Sequence, residues 1–315
     1  MIKTEFTVTG FLVFLFFNIF LSCNSSHDPI EVKQFSYPSG SGIEFYNEHF
    51  YLIGDDATSL LQLDNNFNIT DSILLYDSIQ GRIPKETKPD LEGITVINDK
   101  DNPGLLIIGS GSLKPYRNTA WLIDLSKKGK TEFHVDSFYQ RLNTKGLEVI
   151  NIEGICAIPG NIVFSNRGNK VYQKNFLILT SADFITNQST SAIHSIQING
   201  SEDTAGFKGV SGLAYAPGSD KLILTVSTED TRNAYEDGTI GKSYLWIIDN
   251  ISSKIKNDTI SANRIIDLET IDSRFTGEKV ESACVISENE KNIFLALTAD
   301  NDKGSSTVFK INILK

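Results

Sequence analysis

A tetrapeptide that recurs at long intervals constrains this chain more than any other feature. Leu91-Glu92-Gly93-Ile94 returns as Ile152-Glu153-Gly154-Ile155. Looser copies stand at Gly40-Ser41-Gly42-Ile43, Val210-Ser211-Gly212-Leu213 and Val280-Glu281-Ser282-Ala283. Each copy opens a short apolar run, and each run is followed by further strand-like runs separated by turn residues such as Pro159-Gly160 and Pro217-Gly218-Ser219-Asp220. Self-similarity of this kind marks a repeat architecture, and blades of a β-propeller repeat about every 40–50 residues, with insertions falling in loops. The reading is therefore an all-β, five-bladed propeller. Strand a of the blades is expected at Gly42–Tyr46, Gly93–Ile97, Gly154–Ile158, Gly212–Ala216 and Ala283–Ser287. The outer strand d of the first four is expected at Asp71–Tyr76, Glu132–Val135, Ala192–Ile198 and Asn263–Leu268.

The fifth unit runs out of chain after three strands, at Lys315, whereas a spare alternating segment, Ile30–Tyr37, precedes the first. Pairing the two closes the ring and removes an exposed strand edge. The alternative is a six-bladed ring with a degenerate blade within 67–90 or 250–280. Sustained helical periodicity is absent, so no helix is expected.

Residues 1–22 read as a targeting signal. Lys3 precedes the apolar run Phe11–Leu21, which is too short for a bilayer core that needs about 20 residues. Leu21-Ser22-Cys23-Asn24 resembles a bacterial lipobox, making Cys23 the expected lipidation site, 23–29 a polar tether and 30–315 the propeller. The expected location is the bacterial cell envelope, periplasmic or surface, with membrane contact only through the lipid anchor. A net charge of -10 argues against nucleic acid as a partner. Cys156 and Cys284 fall in non-adjacent blades, too far apart for a disulfide, and read as buried apolar residues.

Topology gathers the chemistry. The start of strand a and the loop between strands b and c share one face of the disc, so five of each converge on one channel mouth. Strand starts bring Glu92, Glu153 and Glu281. The b–c loops bring Asp55 and Asp56, Gly109-Ser110-Gly111-Ser112 with Arg117, Asn166-Arg167-Gly168-Asn169, Ser227-Thr228-Glu229-Asp230, and Asp300 with Asn301 and Asp302. Lys88, Lys208 and Lys279 lie just before strand a. Carboxylates crowded near an axis repel, and need raised pKa values, basic partners or a bound cation. An oxygen-rich, histidine-poor set suits calcium or magnesium better than zinc. The expected ligand contacts are Glu92, Arg117, Glu153, Arg167, Asn169, Lys208, Glu229, Asp230, Glu281 and Asp300. His134 and His194 fall on outer strands and His49 on the opposite face, which argues against a Ser-His-Asp triad. No organic cofactor motif is present.

Leu91-Glu92-Gly93-Ile94, Gly109-Ser110-Gly111-Ser112 with Arg117, Glu153-Gly154 with Arg167-Gly168-Asn169, and Ser227-Thr228-Glu229-Asp230-Thr231 with Tyr235-Glu236-Asp237-Gly238 resemble bacterial phytase-like β-propellers. That group is similar to the family labelled "esterase-like activity of phytase". Two functions stay open. One is a binding propeller that presents its polar mouth to a small anionic ligand, an ion or a protein partner. The other, implied by the resemblance, is a calcium-dependent hydrolase of phosphate or carboxylic esters. In it Glu92, Glu153, Asp230 and Asp300 would hold the metal, and Arg117, Arg167 and Lys208 would neutralise the substrate.

Overall fold

Five antiparallel sheets follow one another around a ring. The computed structural model describes residues 30–77, 81–99, 102–201, 206–229, 240–301 and 304–315. Cys23 with the expected signal and tether, Asp230, Asp302 and the Tyr235-Glu236-Asp237-Gly238 stretch lie outside the described residues. The first sheet holds β2 (Gly40–Tyr46), β3 (His49–Gly54), β4 (Ser59–Leu63) and β5 (Ile69–Leu74). The second holds β6 (Leu91–Asp99), β7 (Asn102–Gly109), β8 (Thr119–Asp124) and β9 (Gly129–His134). The third holds β10 (Ile152–Ile158), β11 (Asn161–Asn166), β12 (Asn175–Thr180) and β13 (His194–Ile198). The fourth holds β14 (Lys208–Ala216), β15 (Lys221–Glu229), β16 (Ile240–Asp249) and β18 (Arg264–Asp267). The fifth holds β19 (Lys279–Glu288), β20 (Asn292–Asp300) and β21 (Ser306–Leu314), and is completed by β1 (Glu31–Phe35) from the other end of the chain. β1 runs antiparallel to β21, from Glu31 opposite Lys310 to Phe35 opposite Ser306. The five-bladed reading and its closure by the N-terminal strand are thus seen directly.

Long intervals between repeats are insertions rather than a sixth blade. Besides β18, the outer strand of the fourth sheet, residues 250–280 hold a four-residue helical turn, α2 (Ile251–Lys254), two 3₁₀ turns and the short β17 (Thr259–Ile260), which adds to the third sheet in parallel with β13. The long second interval holds a helix that was not expected, α1 (Asp136–Thr144). Its nine residues are too few for periodicity to register. Phe138, Tyr139 and Leu142 nevertheless form one buried face, Asp136 suits the positive end of its dipole, and Gly146 at φ +96° follows its end. The outer strand of blade one begins at Ile69, two residues earlier than expected, since Asp64 turns the chain by accepting from the Asn66 and Asn68 amides.

The core is divided among the gaps between blades. Leu106 and Phe138 pack with Phe164 between the second and third sheets, where α1 is wedged. Val163 and Leu177 meet Leu224 and Trp246 between the third and fourth. Further clusters fill the remaining three gaps. Each sheet therefore buries both faces against its neighbours, which explains why its middle strands are continuous apolar runs such as Leu105-Leu106-Ile107-Ile108.

The repeat itself is a β-bulge on the innermost strand. Pairing slips between Gly40 and Gly42, Leu91 and Gly93, Ile152 and Gly154, Val210 and Gly212, and Val280 and Ser282. The residue skipped is Ser41, Glu92, Glu153, Ser211 or Glu281, and a bulge turns such a residue out of the ladder. The position after it must be small because inner strands of adjacent blades nearly touch. A Cβ on Gly154 would lie 2.8 Å from Gly212 Cα, and one on Gly212 would lie 2.5 Å from the Glu281 carbonyl oxygen. Where the bulge residue is serine it ties blades together: Ser211 donates to the Val280 carbonyl at 2.7 Å, and Ser41 donates to that of Leu91.

Gly154→Ala should lower unfolding free energy by about 1–3 kcal/mol in urea denaturation, as overpacking does. Gly129→Ala, whose Cβ would meet only Asp124 Cβ at 3.9 Å, should stay within about 0.5 kcal/mol. Deleting residues 30–37 should strip the fifth sheet of its outer strand, lower the melting temperature and produce soluble aggregates in size-exclusion chromatography.

Candidate functional site

Inner strands start, and second strands end, at one mouth of the channel. The pairings Gly40 with Gly54, Leu91 with Gly109, Ile152 with Asn166 and Lys279 with Asp300 put these ends side by side. The bulge glutamates Glu92, Glu153 and Glu281 stand there, three of five equivalent positions, and the b–c loops surround them.

The densest part joins blades one and two. One carboxylate oxygen from each of Asp55, Asp90 and Glu92 lies within 4.8 Å of the others. Lys88 sits among them, with Nζ 2.8 Å from Asp90 Oδ1 and bonded also to Asp55 Oδ2. Asp90 is buried and saturated: its Oδ2 takes a bond from Arg117 Nη1 at 2.8 Å and from Ser110 Oγ at 2.5 Å. Ser112 of the same glycine-rich loop accepts from Arg117 at 2.8 Å. Asp55 Oδ1, by contrast, is buried without a hydrogen-bond partner. On the other flank Arg82 holds Asp56 at 2.6 Å and Ser39 at 3.0 Å, and its guanidinium also feels Asp300.

Glu153 continues the arc. Asn151 donates to it, and Arg167 reaches it at 3.5 Å while donating to Ser227 of the next blade at 3.3 Å. Gly209 leaves the space for that guanidinium, since a Cβ there would lie 2.3 Å from Arg167 Nε. Lys279 pairs with Glu281 at 2.9 Å. The expected residues Glu92, Glu153, Arg167, Glu281 and Asp300 thus meet on one mouth.

Several expected contacts play other parts. Arg117, carried on a 3₁₀ turn (Tyr116–Asn118), is 2% exposed; its Nη1 bonds Asp90 and Ser112 and braces the acidic cluster, while its Nε and Nη2 are buried without a hydrogen-bond partner among the described residues. Asn169 Oδ1 accepts from the Val171 and Tyr172 amides and shapes its own loop. Lys208, the first residue of β14, holds its ammonium 5.7 Å above the Tyr244 ring. Glu229 ends β15. The tight acidic group is Asp55, Asp90 and Glu92; of the expected metal set, Glu153 and Asp300 do not join a comparable trio among the described residues, and Asp230 lies outside them. Asp90 was missed by sequence reasoning. Its signal is a carboxylate two residues ahead of the bulge, at a left-handed φ of 54°, a conformation Asp tolerates better than most residues.

Crowding shifts the acids in opposite directions. Burial raises Glu92 well above the usual carboxylate range, and the charges of Asp90, Glu153 and Asp55 push the same way. Burial likewise lifts Glu153 to about 7 against the pull of Arg167, and Asp55 to about 6 against that of Lys88. Burial would raise Asp90 too, but Lys88 and Arg117 outweigh it and hold that carboxyl low. For Lys88 burial favours the neutral amine, and Asp55, Asp90 and Glu92 overcome it, so the ammonium persists. The outcome is a site in which Asp90 and Lys88 stay charged beside three acids, Asp55, Glu92 and Glu153, that keep their protons to higher pH than a free carboxyl.

A carboxyl raised in the folded state binds protons there that the unfolded chain has released. Its effect on stability is therefore a loss as pH climbs from the unfolded value toward the folded one. Glu92→Gln, which cannot titrate, should raise unfolding free energy more at pH 8 than at pH 5, measured by urea denaturation across that range.

Among curated proteins nothing matches this chain. Among solved structures it is similar to the tail fibre of Staphylococcus aureus phage P68, at 11% identity and a TM-score of 0.44 over 90% of this chain and 53% of that one. It is also similar to a GH43 β-1,3-galactosidase, at 10% identity and a TM-score of 0.49 over 88% and 58%. A third similar structure is virginiamycin B lyase from Staphylococcus aureus, at 9% identity and a TM-score of 0.38 over 90% and 100%. The chain spans little more than half the length of the first two. Over residues 36–313 it matches, and so belongs to, the family of unknown function DUF6929.

Proposed function

We propose that this chain is a cell-envelope binding propeller, lipid-anchored through Cys23, whose charged mouth takes a cation or a small ligand carrying a cationic group. The observation that carries this reading is the crowding of acid at one mouth: half-buried Asp55 and Glu92 and buried Glu153 are raised first by loss of water and then by one another's charge, against the pull of Lys88 and Arg167. An incoming cation would replace the protons these acids keep. The unpartnered Asp55 Oδ1 and the Glu92 carboxyl beside it supply oxygen ligands of the hardness that Ca²⁺ favours. A small anionic ligand or a protein partner fits this mouth only after the cation has reversed its charge.

A second reading, a calcium-dependent hydrolase of phosphate or carboxylic esters akin to phytase-like propellers, is favoured by one observation. Arg167 lies on the same mouth as the Asp55–Asp90–Glu92 trio, so a metal and a guanidinium would flank one substrate anion.

Calorimetric titration with Ca²⁺ at pH 6.5, in two buffers of different ionisation enthalpy, should show binding coupled to proton release. Glu92→Gln should weaken it by about tenfold or more. Absence of any binding heat in both buffers removes the cation reading. Turnover of a generic phosphomonoester or carboxylic ester that needs Ca²⁺ and is lost in Glu92→Gln would promote the hydrolase over the binding protein.

A further inference from the structure

The other end of the channel is a second, chemically different pocket. The C-terminal halves of all five inner strands, β2, β6, β10, β14 and β19, enclose a cavity of about 500 Å³, within the span typical of small-molecule sites. Its wall is mainly apolar and includes Ile94, Leu213 and Ala283 with the thiols of Cys156 and Cys284. Burial holds both thiols protonated, so they add no charge. No Lys, Arg or His is among its described lining residues.

Two carboxylates line this wall, Glu44 and Glu288. Glu44 Oε1 accepts from the Phe45 amide at 2.9 Å, and Oε2 faces the Val96 amide of the adjacent blade at 3.4 Å. The Thr95 hydroxyl adds a further bond. Thr95 is in turn held by the Ala157 amide of the third blade at 3.2 Å, so three blades fix the group in place. Among the described residues Glu44 has no ion-pair partner. Burial lifts its pKa to about 7, the three hydrogen bonds pulling the other way. The rim acid Glu288, in contrast, is engaged by the Gly218 amide, the Ser219 hydroxyl and Lys315. A half-buried carboxylate in an apolar wall without a counter-charge is costly to ionise, and a ligand bringing a cation and an apolar body relieves both that cost and the exposure of the wall.

We propose that this pocket is a binding site for organic monocations, amines or amidines with an apolar body, with Glu44 as counter-ion and Cys156 and Cys284 flanking the apolar part. The site is separate from the charged mouth and does not depend on the function assigned to it.

The test is a calorimetric series on the whole chain at pH 8 with phenethylamine, benzamidine, 2-phenylethanol and phenylacetate. The two cations should bind in the micromolar to millimolar range and the neutral and anionic analogues far more weakly. Glu44→Gln should reduce cation affinity at least about tenfold, while Glu132→Gln on the exposed outer strand β9 leaves it unchanged. A second readout is the pH profile: phenethylamine affinity should rise from pH 5 to pH 8 as Glu44 loses its proton, that of 2-phenylethanol should not, and Glu44→Gln should flatten the rise. Equal binding of amine and alcohol, no binding by either cation at millimolar concentration, unaltered affinity in a folded Glu44→Gln protein, or a pH-independent amine affinity would each overturn the proposal.

Discussion

The near-contact of inner strands around the axis governs the rest of this structure. At Gly93, Gly154 and Gly212 the backbone of one blade lies where a Cβ of the previous one would sit. A ring can close that tightly only if those positions carry little or no side chain, and the bulge just before each one supplies the local twist that aims the strand inward. The same bulge sends one side chain per blade out of the ladder. Packing and chemistry thus share a cause: the residue that cannot pair becomes the residue available to the mouth.

What that side chain is differs around the ring, and the difference separates scaffolding from site. Ser41 and Ser211 donate to the carbonyl that precedes the next bulge and so stitch neighbouring blades. Glu92, Glu153 and Glu281 instead feel one another's charge and that of Lys88, Arg167 and Lys279. Arg117 pairs with Asp90, and Lys88 is shared between Asp90 and Asp55. Buried ion pairs add little to stability and are expensive to break. Their effect here is to hold a carboxylate array in one geometry; they pull Glu92, Glu153 and Asp55 down, and burial keeps all three raised nonetheless.

The channel is therefore asymmetric. One mouth is lined by paired and unpaired charges carried on strand starts and loops. The other is lined by the apolar second halves of the same strands, with Glu44 lacking an ion-pair partner among the described residues and Glu288 engaged by Lys315. Both follow from a single strand set read in its two directions, polar at the bulge and apolar beyond it.

Five copies of a bulge motif, the small residue after each, a leftover strand at the front and a missing one at the back were all legible in the linear chain. They sufficed for blade number, closure and the convergence of Glu92, Glu153, Arg167, Glu281 and Asp300 on one face. Short-range sequence does not carry what happens across blades. Asp90 gained its importance from Lys88 and Arg117, Arg117 was drawn into the protein by that acid, and α1 owes its helix to the gap between two sheets that its three apolar residues fill. Strand repeats determine which residues share a face because backbone pairing obeys a fixed period; which of them pair, stay charged or keep a proton is decided only when folding removes water and sets distances between distant parts of the chain.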